Sequence, residues 1–357
     1  MYSESDIEAA ITAGAISPAA ADAFRNHVAQ SREAPAVDEE SFRLLSGFND
    51  IFVSIAIALL LTALAWIGGT LSPALGGALV AATGWGLAEY FTRRRRMALP
   101  SILLLLAFVA AVGATLGILL AGLITHPGAG GLPADERDQA NALMLAAIGV
   151  AMAVAAWLHW RRFHVPITVA AGAAALVAVL IGLALAAIPG LIYDTPWFAL
   201  VGGIGIFCLA MWWDGQDRSR VTRRSDVAFW LHLVAAPMIA HPIFHQLGVM
   251  NGGAISIGTA VFVIALYLFF ALVSLTIDRR ALLVSSLAYV LYAMSALFEQ
   301  FGAVSLNVAL TAMVIGSALL LLSAFWYPVR RIVVGALPGE ILARIPILDR
   351  PAQAKPA

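Results

Sequence analysis

The chain has 357 residues, of which 61% are hydrophobic and only 12% are charged. Soluble domains carry about a quarter charged residues, so this composition, with a mean hydropathy of +0.90, excludes a pair of ordinary soluble domains and indicates a membrane protein. The formal net charge is zero, which does not indicate a nucleic-acid partner. Cys208 is the single cysteine, so an intrachain disulfide and a thiolate metal cluster are both excluded.

Two short helices are predicted before the first apolar segment, within residues 3–30. Gly14 ends the first helix, and Ser17 and Pro18 begin the second as N-cap and first-turn proline. The pair forms an amphipathic helical hairpin. We expect its two helices to pack against each other or against the membrane surface, and the alternative is a docking surface for a cytoplasmic protein partner.

The turn of this hairpin carries the pattern Ala-Gly-x-Ile-(Ser/Thr)-x-x-x-Ala, at Ala13, Gly14, Ile16, Ser17 and Ala21. With the linker and leucine-rich span that follow, it resembles the uncharacterised bacterial membrane proteins grouped as domain of unknown function 2157. The resemblance covers residues 1–70 best, and Ala65-Trp66 replaces the Asn-Trp-like end of the family's first span. It implies a bacterial multi-pass membrane protein. Because the family's activity is not established, it assigns no catalytic residue.

Ten apolar segments follow, each about twenty residues long and therefore able to cross a bilayer as a helix. The sequence predicts an all-α fold, a polytopic transmembrane helix bundle with about ten spans. We divide the chain into the hairpin with an acidic linker (1–50), the transmembrane bundle (51–327) and a cytoplasmic tail (328–357). The predicted spans are 51–71, 74–91, 100–124, 141–160, 165–188, 197–213, 226–247, 254–277, 281–298 and 304–327.

The arginines predict the orientation, because basic residues in short loops stay on the cytoplasmic side. All but one of the 21 basic residues lie before the first span or after an even-numbered span, and Arg137 is the exception. A missed span would break this alternation. We therefore expect both termini to lie on the cytoplasmic side of the inner (plasma) membrane.

Ionisable residues are rare within the predicted spans, and we expect the charged ones to lie at the boundaries. Glu89 precedes Arg93 by four residues, which favours an interfacial ion pair. His159 and His164 flank a pair of arginines, and we assign them to a solvated loop.

The seventh span holds three of the seven histidines. His241 and His245 lie one turn apart on one helical face and are spaced to share a metal ion, whereas His232 lies on the opposite side, about 13 Å away. One interpretation is a metal or haem site at His241 and His245. The other, which we favour, is a pair of interfacial histidines on a helix kinked by proline. By topology, the further ligands of a metal site would come from His126, Asp194 or Glu299.

Small residues in the sixth span, at Gly202, Gly203 and Gly205, predict close helix packing. The alternative is a broken helix that exposes its backbone to a ligand, as in transporter sites, with His232 as a further member of the site. We keep these four residues as a candidate substrate or packing site.

Three functions remain open. The first is an integral membrane protein acting as scaffold, sensor or assembly factor in the lipid bilayer. The second is a small-molecule transporter, because ten spans divide into two inverted halves of five. The third is a metal- or haem-binding protein using the span-seven histidines. The sequence requires no cofactor, and the accessible loops carry no catalytic motif, so an enzyme is not indicated.

Overall fold

The structure is a computed structural model that describes residues 4–31, 48–124, 134–218, 220, 222–248, 256–300, 306–342 and 345–348. Over these ranges all regular secondary structure is helical. Two short N-terminal helices precede ten long ones, and two short helices follow them. The predicted all-α class is confirmed.

The N-terminal hairpin consists of α1 (Glu4–Thr12) and α2 (Pro18–Ser31), which contact each other. Gly14 takes a φ of +71° in the turn, a left-handed conformation that glycine adopts without steric cost. The backbone N–H of Ala20 donates to the hydroxyl of Ser17 at 3.1 Å, so Ser17 caps α2 as predicted.

The ten long helices correspond in order to the ten predicted spans. Among the described residues nine of them, all except α4, are long and apolar enough to cross a membrane. The chain is thus a polytopic helix bundle. The helices are α3 (Phe48–Leu71), α4 (Pro73–Ala88), α5 (Ala98–Ile124), α6 (Ala134–Phe163), α7 (Ile167–Ala187), α8 (Thr195–Gln216), α9 (Arg223–Gln246), α10 (Ile257–Ile277), α11 (Ala281–Gln300) and α12 (Asn307–Ala324).

Two predicted spans end differently from the others. The second continues past α4 into a π-helical turn, Glu89–Arg94. In such a turn each backbone hydrogen bond spans one residue more than in an α-helix. The tenth ends at Ala324, and a separate helix, α13 (Trp326–Gly335), begins two residues later. A last helical turn, α14 (Gly339–Leu342), follows in the tail.

Consecutive helices pack side by side, and α9 lies among α7, α8 and α11. Half of the most apolar part of α9 is buried inside the bundle, more than in any other described span. In contrast, α12 contacts mainly α11 and exposes most of its surface. Large apolar side chains on the outer surface, such as Leu180, Leu268 and Leu320, provide the lipid-facing layer.

The arginine-bearing loops meet at one end of the bundle. Glu89, after α4, accepts hydrogen bonds at 2.6 and 2.8 Å from Arg162, at the end of α6. The predicted pair of Glu89 with Arg93 is also present, at 3.4 Å. Arg220, after α8, forms an ion pair at 2.8 Å with Asp278, after α10. We call this the arginine-rich end.

Glycines allow the backbones of α3 and α4 to come into direct contact. A Cβ on Gly76 would lie 2.5 Å from the carbonyl oxygen of Ala65, whereas a Cβ on Gly86 of the same helix would meet no atom within 4 Å. The first hairpin therefore depends on the absence of a side chain at Gly76.

We expect G76V to lower the thermal unfolding midpoint, because overpacking costs about 1–3 kcal/mol. The midpoint can be followed by tryptophan fluorescence in detergent micelles. G86V is the matched control, since it introduces the same β-branched side chain into the same helix and has room for it. Equal midpoints for the two variants would contradict the close approach.

Candidate functional site

The two histidines of the metal interpretation are brought together on α9. The ring centroids of His241 and His245 lie 6.0 Å apart, and both side chains are exposed at the helix surface. The Nδ1 atom of His241 is hydrogen-bonded to the hydroxyl of Tyr289 on α11. Within the described ranges no three His, Cys, Asp or Glu residues are grouped to hold a metal ion. His126, one suggested further ligand, lies outside the described residues.

The glycines of the sixth span lie in α8, which is helical without interruption from Thr195 to Gln216. A Cβ on Gly202 would overlap the side chain of Val177 on α7, and one on Gly203 would lie 2.8 Å from Met238 on α9. A Cβ on Gly205 would meet nothing within 4 Å. The first two glycines therefore bring α8 close to its neighbours on both sides.

His232 belongs to a buried ion cluster, which we call the Asp214 cluster. The carboxylate of Asp214, near the end of α8, accepts hydrogen bonds from Arg279 Nη2 at 2.6 Å and Nε at 3.3 Å. His232 Nε2 lies 3.1 Å from its second oxygen. Arg279 also donates to the carbonyl oxygen of Ser225 at 3.1 Å. All three charged or titratable side chains are at most 4% exposed.

The geometry of the Asp214 cluster assigns different roles to its members. Asp214 acts as the acceptor for two donors, and Arg279 supplies the compensating charge. His232 donates from Nε2, and its buried Nδ1 has no hydrogen-bond partner among the described residues. The cluster thereby connects the end of α8, the middle of α9 and the loop after α10.

A second buried cluster is built on Asp278, the residue directly before Arg279. One carboxylate oxygen accepts from Arg220 at 2.8 Å, and the other accepts from the indole N–H of Trp326 at 2.7 Å. Arg330 of α13 lies 3.6 Å from the same carboxylate and is 1% exposed. Because Asp278 and Arg279 are consecutive, one loop takes part in both clusters.

The described part of the tail is bound to these loops. Arg330 donates to the carbonyl oxygens of Leu275 at 3.2 Å and Pro346 at 2.9 Å. Arg218 donates to the carbonyl oxygens of Leu342 and Ile345 at 2.8 and 2.9 Å. Two guanidinium groups therefore hold the tail against the arginine-rich end.

The assignment of His159 to a solvated loop is wrong. Its side chain is fully buried, and its ring centroid lies 4.6 Å from Phe163, 6.1 Å from Phe108 and 6.2 Å from Trp85. The Nδ1 atom faces the hydroxyl of Thr168 at 3.4 Å. Aromatic side chains from α4 and α5 cover the end of α6, so the last turn of the predicted span is not solvated.

Sequence reasoning also missed the two buried clusters. Asp214 lies one residue beyond the predicted sixth span, and Arg279 lies in a predicted loop, so both were expected at a solvated boundary. The available signal was the acidic residues beside arginines in short loops, at Asp214, Asp217 and Asp278. Short loops place such groups where neighbouring helix ends can cover them.

The fold and the buried clusters define the class of the protein as a polytopic all-α membrane protein with ionic contacts concentrated at one end. Comparison with known proteins assigns no narrower class, since no family model, curated protein or solved structure matches the chain.

Replacing Asp214 by leucine removes the carboxylate but leaves the charge of Arg279 buried. Breaking a buried pair in this way costs about 3–5 kcal/mol, so we expect D214L to unfold at a clearly lower temperature than wild type. The double variant D214L/R279M removes both charges and should recover part of the loss. D194L, at an exposed position before the same helix, serves as control. Equal midpoints for D214L and D194L would contradict the role of the cluster.

Proposed function

We propose that the chain is a multi-pass inner-membrane protein that acts as a scaffold, sensor or assembly factor through its arginine-rich end. The observation that carries this proposal is the position of the buried charge. The charged side chains that are buried among the described residues lie at helix ends and in loops of the arginine-rich end, except that Arg330 lies within the short helix α13 packed against these loops. They are Asp50, Asp214, Asp217, Asp278, Arg279 and Arg330.

The position of these charges bears on the choice between functions. Proteins that move ions through a membrane place ionisable side chains along the path, near the bilayer midplane. Here the deepest titratable member of a cluster is His232, nine residues after Arg223 at the start of α9. A scaffold, sensor or assembly factor that acts through the arginine-rich end needs charged groups only at that end.

The transporter with inverted halves is the alternative, and it requires a polar cavity near the midplane. A cavity of about 620 Å³ between α6, α7 and α8 is instead lined mostly by apolar side chains such as Leu176, Val179 and Leu209. The more polar cavity opens at the arginine-rich end, beside Arg162 and Arg223. This distribution supports a function at that end.

The cytoplasmic orientation of the arginine-rich end is part of the proposal and is supported by the positive-inside rule. We also propose that the chain belongs with the bacterial proteins of domain of unknown function 2157, on the pattern at residues 13–21. In this orientation the hairpin α1–α2 lies in the cytoplasm and offers a surface to a protein partner.

The orientation can be measured by thiol labelling in a C208S background, which carries no other cysteine. We expect a membrane-impermeant maleimide to label G190C, between α7 and α8, in intact spheroplasts. R95C, at the arginine-rich end, should be labelled only after permeabilisation, because the positive-inside rule places its loop in the cytoplasm. Both residues are exposed. The reverse labelling pattern would contradict the proposed orientation.

The metal-binding alternative can be tested on the purified protein. If the proposed function is correct, metal analysis should find no stoichiometric metal and the absorption spectrum should show no haem band. H241A/H245A should give the same metal content and the same spectrum as wild type. Two imidazoles alone provide fewer ligands than structural metal sites use. Stoichiometric metal in the wild type that is lost in the variant would favour the metal-binding function.

A further inference from the structure

A cavity of about 830 Å³ opens at the arginine-rich end, between the loops that follow α4, α6 and α8. Its apolar lining includes Met97, Phe163 and Trp230, and arginine side chains from the loops also line it. A volume of this size is typical of a site for a small ligand, and a mixed polar and apolar lining is typical of one that orients its ligand.

The loops around the cavity have an unusual backbone. Arg96, His164 and Arg220 line it, and they have φ values of 53°, 54° and 54°. These are left-handed conformations that side chains other than glycine adopt at a steric cost. One such residue occurs in each of the three loops. Backbone strain of this kind is concentrated at binding and catalytic sites, where it fixes the position of side chains.

Charge in the cavity is not balanced. Five arginines line it, at positions 93, 96, 162, 220 and 223. The carboxylate of Glu89 binds Arg162 and Arg93, that of Asp278 binds Arg220, and Asp226 lies in the cavity wall. Glu89 is shared by two arginines, and Asp278 also faces Arg330 at 3.6 Å, so positive charge exceeds negative charge around the cavity.

The uncompensated charges can be assigned to particular residues. Arg96 and Arg223 are exposed and have no ion-pair or hydrogen-bond partner for their side chains among the described residues. They come from two different loops, after α4 and at the start of α9. Their guanidinium groups are therefore available to a ligand held between the loops.

The cavity also contains an unused hydrogen-bonding group. Thr92 lines it and is 8% exposed, and its buried hydroxyl has no hydrogen-bond partner within the described part of the chain. Buried hydroxyl groups in folded proteins are almost always paired. A ligand oxygen in the cavity would supply the missing partner once the Thr92 side chain rotates to bring its hydroxyl to the cavity surface.

We propose that this cavity binds the phosphoryl group of an anionic ligand, a phosphomonoester that is either soluble or a lipid headgroup. A phosphomonoester carries a charge of about −1.5 to −2 at neutral pH, which matches the two uncompensated arginines. Guanidinium groups bind phosphate oxygens with paired hydrogen bonds, and the Thr92 hydroxyl completes the set. The apolar lining residues contact the remainder of the ligand.

The inference rests on the proposed function only for the side of the membrane from which the ligand comes. Binding in nanodiscs, where both faces are open to solvent, succeeds or fails whatever the orientation. Thiol labelling, in turn, reports orientation whether or not a ligand binds. The two proposals can therefore fail separately.

The experiment uses the full chain in phosphatidylcholine nanodiscs, with glycerol 3-phosphate as the soluble probe and glycerol as its neutral control. A second set of nanodiscs contains phosphatidic acid, a lipid with the same phosphomonoester group. Binding is measured by calorimetry for the soluble probe and by retained lipid, using mass spectrometry, for the second. Ionic strength is held constant because charge contacts are screened by salt.

We expect R96Q/R223Q to weaken binding at least tenfold, because it removes both unpaired guanidinium groups. R94Q/R224Q is the matched control: it removes two exposed arginines that do not line the cavity, Arg94 two residues before Arg96 and Arg224 directly after Arg223. Its affinity should stay within twofold of wild type. T92V should weaken binding without lowering the thermal unfolding midpoint, because it removes a buried hydroxyl that has no partner within the described residues.

Binding of glycerol 3-phosphate supports a soluble ligand, and selective retention of phosphatidic acid supports a lipid ligand. The proposal is overturned if the wild type binds neither probe. It is also overturned if R94Q/R224Q weakens binding as much as R96Q/R223Q, because attraction to the general surface charge then explains the result.

Discussion

Two buried carboxylates organise the arginine-rich end of this bundle. Asp214 binds Arg279 and His232, and Asp278 binds Arg220 and Trp326. Because Asp278 and Arg279 are neighbours in sequence, the end of α8, the middle of α9, the loop after α10 and the start of α13 are connected through one short segment. Charges removed from water are costly unless they are paired, so each partner constrains where the others lie.

The helices could be predicted from sequence because lipid leaves no alternative. Every backbone polar group in a span must be bonded within that span, so a long apolar segment is helical. The predicted seventh span, 226–247, differs from α9 by only three residues at its start. The pairing of Asp214 with Arg279 was not predictable in this way. It joins residues 65 positions apart, and their meeting depends on helix packing, which apolar sequence patterns specify weakly because lipid is as apolar as the helices.

In the candidate site, too, helix geometry could be predicted from sequence, whereas contacts between helices could not. Helical periodicity separated His232 from His241 and His245, and the structure places their side chains in different surroundings on α9. Periodicity could not indicate what lies opposite each face, so the partner of His232 on α8 was missed. His159 was misplaced for the same reason, since two of the aromatic rings that cover it, Trp85 and Phe108, come from other helices. The sequence predicted that the loop arginines share one side of the membrane, but their burial and pairing are tertiary properties.

The central claim is that, in the described part of the chain, the buried charged side chains and the water that enters the bundle are confined to the arginine-rich end. Hydroxyl-radical footprinting of the protein in nanodiscs tests it directly, using two tyrosines with the same intrinsic reactivity. Tyr90 lies at that end and is 42% exposed, whereas Tyr267 lies in the middle of α10 and is 8% exposed. We expect Tyr90 to be oxidised much faster than Tyr267. Equal rates of oxidation would show that water reaches the middle of the bundle and would contradict the account.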